Sequence, residues 1–173
     1  MGGCMRIFQL RKSDLEMKRF FLSSIIILVI LILDQASKHY ILAYVVAPPK
    51  IIDVTSFFQL VLVWNKGISF GLFGSGDYTW IVAIFAILVT LFLGQWMFRA
   101  RTTLLAAAIA LVVGGAIGNL IDRLRFGAVI DFLYFHLGDY YWPAFNVADA
   151  AICIGVGLIV LDGLLLSKES LKK

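Results

Sequence analysis

Four apolar stretches divide this chain, and no other feature restricts its fold so severely, because roughly 20 residues of helix cross a ~30 Å hydrocarbon core. They run over about 20–46, 78–98, 102–121 and 148–166. In lipid, backbone N–H and C=O groups must find partners inside the protein, which makes helices of such runs. The composition agrees: 61% of the 173 residues are hydrophobic and 15% charged, with a mean hydropathy of +0.94. An ordinary soluble domain is closer to half apolar. The sequence therefore predicts an all-α membrane protein, a four-transmembrane-helix bundle with outer loops at about 47–77 and 122–147.

The first run is too long for a cleaved leader, ends in no A-x-A site and carries Asp34 and Lys38, so it reads as a retained span. Met17-Lys18-Arg19 directly before it resembles a natural start. Residues 1–16 accordingly read as an N-terminal extension without assigned function, and 17–173 as one integral membrane domain. Ten of the fifteen Lys and Arg residues fall on one side: Arg6, Arg11, Lys12, Lys18, Arg19, Arg99, Arg101, Lys168, Lys172 and Lys173. By the positive-inside rule that side, with both termini, is cytoplasmic.

Outside the spans, residues 51–63 are rich in β-branched and aromatic residues and predict a small sheet on the membrane surface. Trp64-Asn65-Lys66-Gly67 reads as a turn before 68–73, and 74–77 as a second turn. Gly114, Gly115, Ala116 and Gly118 in the third span predict close helix packing. Residues 134–142 supply interfacial aromatics.

Polar residues collect at one end of the bundle. Asp34 lies fourteen residues beyond Phe20, about 21 Å into the membrane at 1.5 Å per residue. Lys38 follows one turn later. Asn119, Asp122 and Arg123 close the third span, Asp131 follows in the loop, and Asn146 and Asp149 open the fourth. Ionisable groups at membrane depth mark functional sites, and their absence from the inner half argues for a site near the outer leaflet over a continuous ion path. Structural readings compete at each position. Asp34 and Lys38, four apart, form an internal ion pair; Asp122 beside Arg123 reads as another; Asp149 suits the first turn of a helix. Asp131 and Asp149 differ in lacking an obvious cation. Two carboxylates at one poorly hydrated site share a proton, the basis of aspartic protease chemistry.

Other chemistries find little support. The histidines are His39 and His136 and the cysteines Cys4 and Cys153, with no CxxC or HExxH spacing, so no metal site is expected. Cys153 reads as a small apolar residue within the fourth span. No serine sits in a G-x-S-x-G context and no phosphate-binding glycine loop occurs, which leaves no expected cofactor. Nor is a nucleic-acid partner expected.

Five segments in order, Asp34-Gln35-x-x-Lys38, Asn65-Lys66-Gly67-x-x-Phe70, the run from Gly114 to Arg123, Gly127-Ala128-Val129-Ile130-Asp131-Phe132 and the run from Trp142 to Asp149, together resemble lipoprotein signal peptidase, signal peptidase II. The resemblance extends from about Lys18 to Leu166. It implies an aspartic endopeptidase that removes the signal peptide from diacylglyceryl-modified bacterial prolipoproteins, cutting just before the lipidated Cys. It further implies catalytic Asp131 and Asp149, with Asp34, Lys38, Asn65, Gly67, Asn119, Asp122, Arg123 and Asn146 binding substrate or supporting the site. Membrane lipids and cyclic-peptide antibiotics of the globomycin type are the other partners implied, and the cell inner membrane the location. Two rival classes also accommodate buried acids: a small proton-coupled transporter, which needs polar residues in the cytoplasmic half beyond Asp162, and a non-enzymatic assembly protein.

Overall fold

The computed structural model describes residues 2–45, 51–67 and 79–170. Helix α1 spans Gly2–Tyr44, α2 Thr79–Phe98, α3 Thr103–Phe126 and α4 Val147–Ser170, and each is long and apolar enough to cross a membrane. The expected four-span bundle is present. Helix α1 passes Met17 without a break, and α3 continues five residues past the limit that the apolar run sets at 121. An apolar run marks where lipid contact ends, whereas a helix continues for as long as its polar residues find partners within the protein.

Both ends of α3 are capped by local chemistry. Thr102, in extended conformation, accepts the Leu105 N–H at 2.9 Å through its hydroxyl. Gly127 terminates the helix with φ 69°, a left-handed cap, its N–H reaching the Arg123 carbonyl at 3.0 Å. Between these caps α3 packs against all three other helices. Its small residues make that possible: a Cβ on Gly114 would lie 3.2 Å from Ile30 of α1, and one on Gly115 would strike the Ala148 carbonyl of α4. The predicted packing role of these glycines holds.

The surface sheet is larger than residues 51–63 suggest. Strands β1 (Ile52–Thr55), β2 (Phe58–Asn65), β3 (Val129–Leu137) and β4 (Tyr140–Tyr141) form one antiparallel sheet in that order. Half of it thus comes from the segment between α3 and α4, where the sequence reading provides only interfacial aromatics. Strand β2 runs through Trp64 and Asn65, so the expected turn at 64–67 begins later, at Gly67 with φ 91°. The stretch 68–73 and the turn at 74–77 lie outside the described residues. Ile130 and Phe132 of β3 pack with Ile41 and Val45 at the end of α1, which seats the sheet on the bundle.

Candidate active site

Lys38 is the hub of the polar end of the bundle. Its ammonium has three donors and uses all of them, on Asp34 Oδ2 at 2.9 Å, Asp122 Oδ2 at 2.7 Å and Asn119 Oδ1 at 3.0 Å. The expected Asp34–Lys38 pair forms, but Asp122 joins the same lysine; no Asp122–Arg123 salt bridge is present among the described residues. On a helix, adjacent residues diverge in direction, and Arg123 instead donates to the Asn119 carbonyl at 3.3 Å. Lys38, Asp34 and Asp122 are at most 2% exposed. Buried charges persist only when their remaining lone pairs are bonded, and here they are: Gln35 Nε2 donates to Asp34 Oδ2 at 3.1 Å and to Asp122 Oδ1 at 3.0 Å. The Ala148 N–H reaches Asp34 Oδ1 at 3.0 Å, and the Ile130 N–H reaches Asp122 Oδ2 at 3.2 Å. Asp34 therefore caps α4 from another helix, and Asp122 fixes the start of β3.

Asp131 and Asp149 are bonded quite differently. Asn65 Nδ2 donates to Asp131 Oδ2 at 2.9 Å and Asn146 Nδ2 to Asp131 Oδ1 at 2.7 Å. Asn119 Nδ2 donates to Asp149 Oδ1 at 2.8 Å, and the Asn146 backbone N–H to Asp149 Oδ2 at 3.2 Å. Asn146 completes a reciprocal cap on α4, its Oδ1 accepting the Asp149 N–H at 2.9 Å. One asparagine thus touches both acids. Among the described residues, every donor on these two carboxylates is a neutral amide.

The fold explains why they meet. Val63 lies opposite Asp131 in the β2–β3 register and Asn65 opposite Val129, which makes Asn65 and Asp131 diagonal neighbours on one face. The segment before α4 is held against β3 by the Phe132 and Leu133 N–H groups, both donating to the Phe145 carbonyl. That tether brings Asn146, and with it Asp149, to Asp131. Gly67 closes the Asn65 side, its N–H donating to Asn65 Oδ1 at 2.8 Å. Burial pushes the Asp131 carboxyl up to about 6; the Asn65 hydrogen bond opposes this, and the charge of Asp149 adds to it. A carboxyl that holds its proton until near neutrality beside a second carboxyl is an arrangement suited to acid and base steps at one water.

A cleft of about 420 Å³ opens beside Asp131, between Trp64, Lys66, Tyr134 and Pro143. All ten residues singled out in the sequence come together: α1 supplies Asp34 and Lys38, α3 supplies Asn119, Asp122 and Arg123, the sheet supplies Asn65 and Asp131 with Gly67 just past the strand, and α4 supplies Asp149 behind its cap Asn146. Sequence reasoning gives Gln35 and Gly118 no site role, yet both are structural to it. A Cβ on Gly118 would lie 2.6 Å from Asp34 Oδ2, so only glycine leaves room for that carboxylate. The available signal is Gln35 itself, a polar side chain inside an apolar run. Among the described residues no group of three or more His, Cys, Asp or Glu is arranged to hold a metal ion.

The sequence model of the family described as Signal peptidase (SPase) II matches residues 26–165. The chain belongs to this signal peptidase II family. As a member it is a peptidase, and its four spans make it a multi-pass membrane protein. Relatives named Lipoprotein signal peptidase include one from Azoarcus sp. (strain BH72), 49% identical over 131 residues, covering 74% of each chain. Another, from Methylobacterium sp. (strain 4-46), is 45% identical and covers 75% of this chain and 81% of its own. A solved structure described as "Bacterial membrane enzyme structure by the in meso method at 1.9 A resolution" superposes with a TM-score of 0.70 at 32% identity, over 82% of this chain and 92% of that one. The family span takes in every site residue named above.

Proposed function

We propose that this signal peptidase II is an aspartic endopeptidase of the bacterial inner membrane, which removes signal peptides from diacylglyceryl-modified prolipoproteins by cutting just before the lipidated Cys. The observation that carries the reading is the pair Asp131 and Asp149, joined through Asn146, held by neutral amides and bordered by a cleft. In this mechanism one carboxylate removes a proton from a water as its oxygen attacks the scissile carbonyl carbon. The protonated partner hydrogen-bonds the carbonyl oxygen. Collapse of the tetrahedral adduct breaks the C–N bond, and the Cys nitrogen leaves as a free amine after taking up a proton from the pair. The two acids titrate as a unit, so the proton belongs to the pair.

The asymmetry of Lys and Arg supports cytoplasmic termini, with the site near the outer leaflet. A substrate whose Cys carries acyl chains keeps them in the bilayer, and a dyad at the outer ends of α3 and α4 meets that Cys at membrane-surface depth. Substrate then enters sideways between helices. Arg123 lies within electrostatic range of Asp149, Asp131 and Asp122 and has a buried Nε without a partner, which suits it to a substrate carbonyl. Globomycin-type cyclic peptides are expected to compete for the same cleft.

The test is cleavage of a diacylglyceryl-modified prolipoprotein by the purified chain in detergent, beside the unlipidated substrate and the Asp149→Asn variant. Cleavage by the unaltered enzyme alone, and of the lipidated substrate alone, is expected. Turnover retained by a folded Asp149→Asn protein contradicts the dyad.

A further inference from the structure

At the opposite end of the bundle, about 22 Å from Asp34 at 1.5 Å per residue along α1, lies a cavity of a different character. It measures about 290 Å³ and is lined by Glu16, Met17, Arg19, Phe20 and Ser23 of α1 with Met97 and Phe98 of α2 and Ala100 just beyond it. Helix α2 ends there in two short turns, the Arg99 N–H reaching the Trp96 carbonyl and the Ala100 N–H the Met97 carbonyl. Arg19 reaches across to this turn, its Nη1 donating to the Ala100 carbonyl at 2.8 Å. That bond uses one of five guanidinium donors, and the Nε–H is buried with no acceptor. Lys18, Arg99 and Arg101, each next in sequence to a lining residue, are exposed. Among the described residues neither these cations nor Glu16, the one acid in the lining, forms a salt bridge, so positive charge outnumbers negative here.

The apolar side of the cavity is equally specific. Phe20 and Phe98 stack with ring centroids 5.8 Å apart, yet remain 48% and 67% exposed on the lipid-facing surface. An occupant of this cavity thus meets a guanidinium with spare donors opposite a single carboxylate, an excess of positive charge on the neighbouring residues, and an aromatic shelf that continues into the hydrocarbon. Inorganic phosphate would satisfy the first two features and leave the third without purpose. Basic pockets between transmembrane helices at the membrane surface are fitted to acidic lipid headgroups.

We propose that this pocket binds an anionic phospholipid, with Arg19 on the headgroup phosphate and the first acyl carbons over Phe20 and Phe98. A forked guanidinium holds two phosphate oxygens at once, which diffuse attraction to surface lysines does not require. The site is separate from the carboxylate pair and stands whether or not the peptidase mechanism proposed above is correct.

Native mass spectrometry of the purified chain, exchanged between phosphatidylglycerol and phosphatidylcholine of matched acyl chains, tests it directly. The unaltered protein is expected to retain phosphatidylglycerol selectively, and Arg19→Gln to lose about fivefold of that selectivity, the value of one cation at a membrane surface. Met97→Trp fills the cavity while leaving every charge in place, so it is expected to lose the selectivity too, and it decides the matter should Arg19→Gln fail to fold. In phosphatidylcholine Met97→Trp should unfold near the temperature of the unaltered protein and Arg19→Gln somewhat lower, having lost its bond to the Ala100 carbonyl, whereas added phosphatidylglycerol should stabilise only the unaltered protein. Selectivity that is absent from the unaltered chain, unchanged in either folded variant, or abolished by millimolar inorganic phosphate overturns the proposal.

Discussion

Asp34 and Asp122 share a lysine, whereas Asp131 and Asp149 share an asparagine. The two carboxylate pairs occupy one polar cluster, joined through Asn119, which accepts from Lys38 and donates to Asp149. The first pair is ion-paired to one buried cation and saturated with donors from Gln35 and from the starts of β3 and α4. Among the described residues the second pair has amide donors only, and a cleft lies beside Asp131. An ion pair fixes charge and position, which suits acids whose task is to hold four elements together. Amides fix position and leave the proton free to come and go, which suits acids that exchange protons with a substrate.

Removing the cation from the first pair should have the largest effect of any single change. In Lys38→Met, Asp34 and Asp122 remain buried with no countercharge, a situation that costs about 3–5 kcal/mol. That approaches the whole stability of many domains. We expect the variant to fail to accumulate in membranes, or to unfold at far lower temperature in neutral detergent than the parent. Normal accumulation and normal unfolding would show that the first pair does not need its lysine.

The second pair should respond in the opposite sense. Asp131→Asn is expected to abolish turnover, a loss of at least about 100-fold for a general acid or base, while the protein stays folded. Its stability should also lose a pH dependence. In the folded protein the Asp131 carboxyl titrates near 6, against an ordinary value of 3.8. Between those values the folded state holds a proton that the unfolded chain has released, so this group's contribution is most favourable at low pH and diminishes as pH rises to about 6. Asparagine has no such proton. Relative to the parent, Asp131→Asn should therefore gain stability between about pH 4 and pH 6, by at most about 3 kcal/mol. The pH dependence is a cleaner readout than the absolute value, because the substituted amide would turn an NH₂ toward Asn65 Nδ2. Unfolding temperatures of both proteins across that range check it, and parallel curves would mean that Asp131 is not held protonated.

How much of this was legible beforehand follows from which interactions are local. The four spans, the gathering of the acids toward one end of the bundle and the Asp34–Lys38 pair follow from runs and spacings along single helices, and all appear in the structure. The Asp122–Arg123 pair does not, because sequence adjacency places those side chains on different sides of α3, and the true partner of Asp122 lies on α1. Likewise the extent of the sheet escapes the sequence: β2 and β3 are separated by two helices, and residues 134–142 read as aromatic belt when in fact they finish one strand and supply another. Gln35 and Gly118 become meaningful only once α1 and α3 are in contact. The role of Asn146 as a bridge between two acids depends on the tether at Phe145, which no periodicity reveals.

The smallest effect should come from the remaining buried acid. Asp162 sits in the half of α4 away from Asp149, 4% exposed, and accepts a 2.6 Å hydrogen bond from the Thr102 hydroxyl at the start of α3. It resembles the first pair in being buried and the second in having no ion pair among the described residues, and so it separates the two explanations of what makes an acid functional here. Asp162→Asn keeps an oxygen for Thr102 and places no new donor near either dyad carboxylate. A neutral hydrogen bond in place of a charge-assisted one should cost about 1 kcal/mol, lowering the unfolding temperature slightly. Turnover should not change. A transporter that carries protons through the bundle would need an acid at this depth, so a loss of function in Asp162→Asn comparable to that in Asp131→Asn would favour proton transfer across the membrane. Unchanged peptide cleavage would confine the chemistry to the outer end, where position is set by amides.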